Sequence, residues 1–289
     1  MSDLLTIRAL TLGFAGLSGL TRVLHGVSLS IQAGERVALV GESGSGKSVI
    51  ARIILGLLQE TPSARIGGSV VFDGQDISAM PARQRAALRG TDMSMIFQDP
   101  TSSLNPTFTI GRQFAEVLRR RDRTSSDAIC DKRASELLRE VSIPDPARVL
   151  AAYPFQLSGG MNQRVMIAMA LANHPKLLLA DEPGTALDVS VQAQTLSLMR
   201  NMVDDHGTAV LFISHNLGVV REFADRVYVI YRGRIVEDGP TRALFGNPRH
   251  AYTRALMSAV PRITGEGLPE IPEVSEDFLA PQISHEADT

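Results

Sequence analysis

The sequence predicts an α/β fold built on a mainly parallel β-sheet. Continuous apolar runs bounded by turn residues are typical of strands buried on both faces. Such runs lie at 36–40, 93–97, 177–180, 209–213 and 226–231. Helical periodicity fills most of the intervening chain, as in residues 189–206. Strands that alternate with helices favour a parallel sheet.

Two regions depart from this alternation. Residues 69–72, followed by Asp73 and Gly74, are typical of an antiparallel strand entering a tight turn, so a small antiparallel β layer is expected beside the main sheet. Strand signals vanish between residues 109 and 157, where 110–121 and 125–141 have helical patterns. We therefore expect an inserted α-helical subdomain there.

Composition limits the classes of protein that fit. The chain has 289 residues, of which 44% are hydrophobic, which is enough for a sizeable core. The net charge of −2, with acidic and basic residues interspersed, gives no reason to expect nucleic acid as a partner. The only cysteine, Cys130, cannot form an internal disulfide, and we expect it at a solvated or half-buried helix position. With no basic leader and no uncharged apolar stretch of about 18 residues, the chain is expected to be neither exported nor membrane-spanning.

A glycine-rich loop between strand 36–40 and the next helical pattern is the strongest chemical signal. Glycines let successive backbone N–H groups point into one anion-sized hollow, the helix N-terminus adds positive potential, and a lysine supplies charge to the β- and γ-phosphates. The following serine hydroxyl suits Mg²⁺. The nucleotide-contacting residues predicted here are Gly41, Glu42, Ser43, Gly44, Ser45, Gly46, Lys47, Ser48 and Val49.

Two further segments fit the same chemistry. The apolar run 177–180 ends in Asp181, placed to hold Mg²⁺ or its water, and in Glu182, placed to orient or deprotonate an attacking water. Ser158, Gly159, Gly160 and Met161 open a helix with a capping serine and exposed backbone N–H groups, which makes a second phosphate-binding surface. One nucleotide does not need two such surfaces, so we expect the second to address a nucleotide held by another subunit. Taken alone, each segment also fits an ordinary solvated turn or helix entry.

Together these motifs resemble the ATP-binding cassette (ABC) ATPases, over about residues 4 to 262. The shared motifs, in order, are 41–48, Gln98, 157–161, 177–182, 186–188 and 214–215. The resemblance is narrower for the oligopeptide/dipeptide/nickel importer subfamily, through residues 95–100, 103–106, 153–154, 157–161, 163–168 and 248–253. The Leu-Ser-Gly-Gly-Met form resembles the first of the two ATPase subunits common in such systems.

The resemblance implies a domain organisation. It implies a P-loop NTPase (RecA-like) core with an antiparallel β layer at about 1–108 and 158–262, and a helical subdomain at about 109–157. Residues 1–262 would form the ABC nucleotide-binding domain. The shift to Gly, Pro and acidic residues predicts that 263–289 is a loosely ordered C-terminal tail.

The resemblance also assigns roles. Phe14 would stack on adenine, although a lone phenylalanine near a strand end also fits core filling. Gln98 would touch Mg²⁺ and the attacking water, with Ser48 and Asp181 as further metal ligands. Asp188 would contact the partner subunit, or would simply cap a helix. His215 would reach the γ-phosphate, so the residues implied in catalysis are Glu182, His215, Gln98 and Lys47.

The sequence departs from the family pattern twice. Gly184 stands where a threonine or serine usually follows the Glu-Pro pair, so dimer contacts there are less certain. Many relatives carry a C-terminal cysteine cluster, whereas this tail has no cysteine. We therefore expect no iron–sulfur cluster or zinc in the tail.

The function implied is that of an ATP- and Mg²⁺-dependent ATPase that powers import of dipeptides, oligopeptides or related solutes. Its partners would be a second ABC ATPase, as a heterodimer or a homodimer, two permeases and, through them, a periplasmic solute-binding protein. It would lie at the cytoplasmic face of the inner membrane. Import of nickel chelates or opines fits the same role. A soluble ABC ATPase uncoupled from transport and a non-hydrolysing regulatory cassette are the alternatives of another class.

Overall fold

A computed structural model describes residues 3–17, 19–99, 103–184, 189–258 and 276–285. The strands, numbered in chain order, are β1 (Asp3–Gly16), β2 (Gly19–Gln32), β3 (Arg36–Val40), β4 (Ala64–Phe72), β5 (Gln75–Asp76), β6 (Met93–Ile96), β7 (Leu177–Asp181), β8 (Ala209–Ser214), β9 (Arg226–Tyr231), β10 (Arg234–Pro240) and β11 (Ile283–Ser284). The helices are α1 (Lys47–Ile54), α2 (Ala82–Leu88), α3 (Ile110–Leu118), α4 (Asp127–Glu140), α5 (Pro146–Ala151), α6 (Gly159–Leu171), α7 (Val189–His206), α8 (Leu217–Phe223), α9 (Thr241–Gly246) and α10 (Ala251–Ser258), with 3-10 turns at Pro154–Gln156 and Glu276–Leu279. Among these described helices, none combines the length and apolar character needed to cross a membrane.

The chain divides into two compact units. The first comprises residues Met1–Pro81 and Leu211–Thr289, and the second comprises Ala82–Val210. Strand β8 is buried throughout, and its residues are divided between the two units.

The first unit contains an antiparallel sheet with strand order β2-β1-β4-β5. Phe72 pairs with Gln75, and the two intervening residues both have positive φ, 49° at Asp73 and 77° at Gly74. This is the two-residue hairpin geometry that an Asp-Gly pair favours, and it confirms the predicted tight turn. The β1–β2 hairpin, which the sequence analysis did not assign, supplies most of this β layer.

The same unit contains a run of paired strands in the order β11-β10-β9-β3. β3 pairs with β9 in parallel, and β10 pairs with β9 antiparallel. Arg36 anchors the start of β3, because its backbone N–H and its guanidinium both donate to the Asp225 carboxylate. The parallel pairing confirms the strands predicted at 36–40 and 226–231. The loop that follows β3 therefore begins beside the end of β9.

Part of the C-terminal region departs from the expectation of a loose tail. β11 pairs in parallel with β10, and the Phe278 side chain is only 7% exposed. The His285 ring, also buried, lies 2.7 Å from the buried Glu237 carboxylate. Strand pairing, one aromatic side chain and side-chain hydrogen bonds to Glu237 and Asp238 hold this short segment. None of these contacts produces the periodic pattern by which a sequence indicates secondary structure. The other residues of the predicted tail lie outside the described ranges.

The second unit pairs β6 with β7 in parallel and carries the helices of the predicted insertion. Thr109, Ser126 and Asp145 cap α3, α4 and α5, since each side chain accepts a hydrogen bond from a backbone N–H of the first turn. The sequence expectation for Cys130 is wrong, because this residue is buried at 1% exposure on the inner face of α4. The exact boundaries proposed for the helical subdomain stay a prediction.

Candidate functional site

Three positions in the loop between β3 and α1 favour glycine over any other residue. A Cβ atom at Gly41 would lie 2.1 Å from the Ile230 carbonyl oxygen, which no real side chain tolerates. Gly46 has φ of 105°, a left-handed conformation that favours glycine. The Gly44 φ of 80° also lies in this region. The backbone therefore turns back on itself immediately after the strand.

The Lys47 side chain lies inside this loop and is hydrogen-bonded to its backbone. Its ammonium group donates hydrogen bonds of 2.7 Å to the carbonyl oxygens of Gly41 and Glu42, and the residue is only 5% exposed. A buried lysine held by two carbonyl groups places a positive charge within the curl of the loop. This is the environment in which an anionic ligand is attracted.

Helix α1 starts at Lys47 with a glycine as its N-cap, so no side chain caps its first turn. Ser48 and Val49 are half-buried in this turn, while Glu42, Ser43 and Gly44 are exposed at the outer side of the loop. Ser45 is buried, and its hydroxyl makes no hydrogen bond among the described residues. An uncapped helix start beside a buried ammonium group is suited to bind phosphate.

Tyr252, to which the sequence analysis gave no role, contacts the loop directly. Its hydroxyl oxygen lies 3.1 Å from the Glu42 backbone nitrogen and accepts a hydrogen bond from it. The two residues are 210 positions apart. No local sequence pattern could have revealed this contact, although Tyr252 lies in one of the segments that resemble the importer subfamily.

Phe14 and His215 also belong to the first unit. Phe14 is half-buried near the end of β1 and pairs with Thr21 on β2 and with Ala64 on β4. His215 follows β8 directly and is exposed. The next residue, Asn216, caps α8 by accepting hydrogen bonds from two backbone N–H groups, which fixes the end of the short turn that carries His215.

In the second unit, Asp181, Glu182 and Gln98 gather at the ends of β7 and β6. Asp181 is the last residue of β7 and is 4% exposed. Glu182 follows with φ of 48°, a left-handed conformation that is unusual for a residue with a side chain. The Gln98 amide donates a 3.0 Å hydrogen bond to a Glu182 carboxylate oxygen. The two carboxylates predicted at the end of β7 and the predicted glutamine therefore lie close together in the structure.

The Ser158 segment begins α6. The Ser158 hydroxyl accepts a hydrogen bond from the Met161 backbone N–H at 3.3 Å, as predicted for an N-cap. Gly159 is exposed, and Gly160 and Met161 are half-exposed. These residues line a concave surface that also includes Asp145 and Arg164. An exposed and a half-exposed glycine at the start of a capped helix leave room for a ligand close to the backbone.

Asp188 lies outside the described residues, as do the neighbouring positions 185–187 and the stretch 100–102 that follows Gln98 and Asp99. Gly184, the last residue described before this gap, has a φ of 93°. A threonine or serine would be strained in this conformation, so the departure from the family pattern has a backbone reason.

Comparison with known families decides the identity of this fold. A family described as ABC transporter matches residues 24–185, which is more than half of the chain. The chain belongs to the ABC transporter family. A second family, described as oligopeptide/dipeptide transporter, C-terminal region, matches residues 236–281. As an ABC ATPase, the protein binds and hydrolyses ATP.

Individual relatives agree with this assignment. The ABC ATPase is 49% identical, over 97% of its length and 84% of the relative, to a probable peptide ABC transporter ATP-binding protein of Sinorhizobium fredii. It is 44% identical, over 97% of its length and 79% of the relative, to an oligopeptide transport ATP-binding protein of Bacillus subtilis. Among solved structures, it resembles the ATP-binding cassette MJ0796 in a dimeric post-hydrolysis state bound to ADP and Pi, with a TM-score of 0.73, 29% identity and coverage of 82% of this chain and 99% of that one. The predicted family, fold class and ATPase activity are confirmed.

Proposed function

We propose that this ABC ATPase powers an importer that carries dipeptides, oligopeptides or related small solutes across the inner membrane. The observation that carries the proposal is the match of residues 236–281 to the C-terminal region of oligopeptide/dipeptide transporters, in addition to the cassette itself. Relatives named for peptide and oligopeptide transport support the same cargo class. Nickel-chelate or opine import would use the same ATPase residues, so ligand affinity of the associated binding protein distinguishes these cargoes.

Residues 41–49 would hold the triphosphate, with Lys47 paired to the β- and γ-phosphate oxygens and with the uncapped start of α1 directed at the same charge. Phe14 would stack on adenine. Lys47 would keep its place in the curl of the loop, so binding would need little rearrangement.

The side chains proposed as metal ligands are of the type that Mg²⁺ accepts. This cation prefers oxygen ligands and keeps several waters, and the chain offers the Ser48 hydroxyl, the Asp181 carboxylate and the Gln98 amide oxygen. Asp181 is buried at the end of β7, and its carboxylate is of the ligand type that Mg²⁺ accepts. When bound, Mg²⁺ would neutralise charge on the β- and γ-phosphate oxygens.

Glu182 would orient or deprotonate the attacking water. The Gln98 hydrogen bond to one carboxylate oxygen helps to fix the orientation of the Glu182 side chain for this task. His215, exposed after β8, would donate to the γ-phosphate. Catalysis by these groups rests on positioning and charge neutralisation, since phosphoryl transfer requires little covalent chemistry from the protein.

The segment of Ser158, Gly159, Gly160 and Met161 would bind the ATP held by a second ABC ATPase subunit, and Asp188 would contact that subunit. The dimeric ADP-bound and Pi-bound relative supports two-chain binding. ATP would then favour the closed dimer by binding it more tightly than the open one, and hydrolysis would reopen it. A heterodimer is proposed because residues 157–161, with the sequence Leu-Ser-Gly-Gly-Met, resemble the same segment in the first of two paired ATPase subunits. A homodimer is the alternative.

The permeases would meet the Gln98 loop and the helical region 109–157, which would transmit closure to the transport pathway. A periplasmic solute-binding protein would deliver cargo to those permeases, and the ATPase would lie on the cytoplasmic face. Nucleic acid is not proposed as a partner.

The test is the Glu182→Gln variant in the transporter purified with its permeases. We expect ATP binding to persist while turnover falls at least about 100-fold, because only the carboxylate is lost. Glu60→Gln, an exposed position, is the matched control and should keep full turnover. Unchanged turnover in Glu182→Gln would refute the role of this residue.

A further inference from the structure

A tyrosine side chain from the C-terminal part of the ABC ATPase contacts the loop of residues 41–48, which we call the phosphate loop. Tyr252, near the start of α10, accepts a 3.1 Å hydrogen bond from the Glu42 backbone N–H. The Glu42 carbonyl oxygen accepts a 2.7 Å bond from the Lys47 ammonium group. Both polar backbone groups of Glu42 are therefore hydrogen-bonded, the N–H to Tyr252 and the carbonyl oxygen to Lys47.

The Tyr252 ring is fixed in place by its neighbours. It is 1% exposed and packs against Tyr231 and Phe278, with ring centroids 4.3 Å and 5.6 Å away. Its own backbone N–H donates to the His250 ring at 3.2 Å. Burial raises the pKa of Tyr252, so its hydroxyl stays neutral. A ring held this firmly keeps its oxygen at one point relative to the loop.

We propose that Tyr252 is a positioning residue for ATP binding. Together with the rings of Tyr231 and Phe278 that pack on it, it would hold the phosphate loop in the conformation that binds ATP. This assigns a task to the C-terminal region that matches the oligopeptide/dipeptide family, a region outside the phosphate-binding motifs. The inference rests on the phosphate loop as the ATP site and is independent of the cargo.

Removal of the Tyr252 hydroxyl should weaken ATP binding without altering the chemical step. In Tyr252→Phe the Glu42 N–H loses its partner, so the loop spends less time in the competent geometry and the apparent affinity falls in proportion. The net worth of one hydrogen bond corresponds to a loss of about fivefold. Tyr252 touches no reacting atom, so the KM for ATP should rise while kcat is unchanged.

Tyr231 offers a closely matched control. It belongs to the same aromatic cluster, and its buried hydroxyl makes no hydrogen bond among the residues that the structure describes. Tyr231→Phe removes the same atom from the same kind of ring, but this hydroxyl makes no hydrogen bond to Glu42. We expect this variant to bind ATP like wild type.

The experiment is a titration of the full-length chain with fluorescent mant-ATP, beside thermal unfolding without nucleotide. The variants are Tyr252→Phe, Tyr231→Phe, Phe278→Leu and Lys47→Ala. The proposal expects weaker binding in Tyr252→Phe, a smaller loss in Phe278→Leu, whose ring supports Tyr252, and wild-type binding in Tyr231→Phe. Should Tyr252→Phe fail to fold, the Phe278→Leu titration tests the same brace.

Wild-type affinity in a folded Tyr252→Phe chain would overturn the proposal, as would equal losses in Tyr252→Phe and Tyr231→Phe, which would indicate general packing. A Tyr252→Phe chain with lower thermal stability but unchanged ATP affinity would show a merely structural residue and would also overturn it. Lys47→Ala separates a different failure, because unchanged affinity in that variant would mean that the phosphate loop is not the ATP site.

Discussion

The Gln98 side-chain amide donates a 3.0 Å hydrogen bond to the Glu182 carboxylate, across 84 positions of the chain. Glu182 itself has a left-handed backbone, with φ of 48°, which costs a residue with a side chain about 1 kcal/mol. Such strain tends to persist at functional sites because the surrounding structure enforces it. The bond ties the loop after β6 to the carboxylate that we propose acts on water.

The first prediction concerns the coupling of these two residues. Gln98→Ala should lower ATPase turnover, and the loss should be smaller in the Glu182→Gln background, because part of the Gln98 effect is made through its hydrogen bond to the carboxylate. A double-mutant cycle on turnover should give a coupling free energy of at least about 1 kcal/mol. Strictly additive effects would indicate that Gln98 and Glu182 act independently.

The second prediction concerns Lys47. Lys47→Ala removes two hydrogen bonds that close the phosphate loop and the charge that would pair with phosphate. Since charge-assisted hydrogen bonds are worth about 1.5–3 kcal/mol, ATP affinity should fall tenfold or more. Isothermal titration with ATP measures this, with Lys132→Ala on an exposed face of α4 as the control. Equal affinities in the two variants would contradict the assignment.

The third prediction concerns the glycine at the end of β3. In Gly41→Ala, the new Cβ atom would meet the Ile230 carbonyl oxygen at 2.1 Å, so either the loop or β9 must shift. The cost of such overpacking is about 1–3 kcal/mol, and we expect a lower melting temperature together with weaker ATP binding. Gly246→Ala is the control, since a Cβ atom there meets nothing within 4 Å. A Gly41→Ala chain as stable as Gly246→Ala would argue against this packing.

The fourth prediction concerns pH. Burial alone would raise the pKa of Glu237, but hydrogen bonds from the Arg249 and His250 backbone N–H groups and from the His285 ring outweigh it and hold the pKa below its ordinary value. A carboxyl group with a depressed folded pKa contributes stability above its unfolded value of 4.5, and this stability is lost as pH falls through the folded pKa.

Glu237→Gln should therefore lower the free energy of unfolding at neutral pH by about 2 kcal/mol. The difference from wild type should shrink as pH falls below 4.5, the unfolded value. Urea denaturation at a series of pH values measures both quantities, and Glu60→Gln serves as the exposed control. A stability difference that stays constant across the acidic range would contradict the proposed network.

The parts of the fold that could be predicted from the sequence are those that depend on short stretches of neighbouring residues. The phosphate loop is one contiguous motif whose glycine geometry follows from residue type, and the Asp73-Gly74 turn is equally local. Strands β3 and β9 are apolar runs that need no partner to be recognised. Long β1 and β2 escaped because bulges interrupt their alternation, as where the pairing register shifts between Ile7 and Leu10.

The hydrogen bond that the Glu42 N–H donates to Tyr252 and the packing of Phe278 on Tyr252 could not have been predicted, since both depend on which distant segments meet. The same holds for the bond between Gln98 and Glu182. Sequence motifs identified Gln98 and Glu182 as candidate catalytic residues. Only the fold puts their side chains within hydrogen-bond distance of each other.

The central claim is that each ATP is bound by the phosphate loop of one subunit and the Ser158 segment of another. The most direct measurement is a cryo-EM structure of the assembled transporter, carrying Glu182→Gln and trapped with Mg²⁺ and ATP. We expect the Ser158 hydroxyl within hydrogen-bond distance of the γ-phosphate of the nucleotide held by the opposing subunit. A nucleotide enclosed by a single chain, with Ser158 facing solvent, would contradict this account.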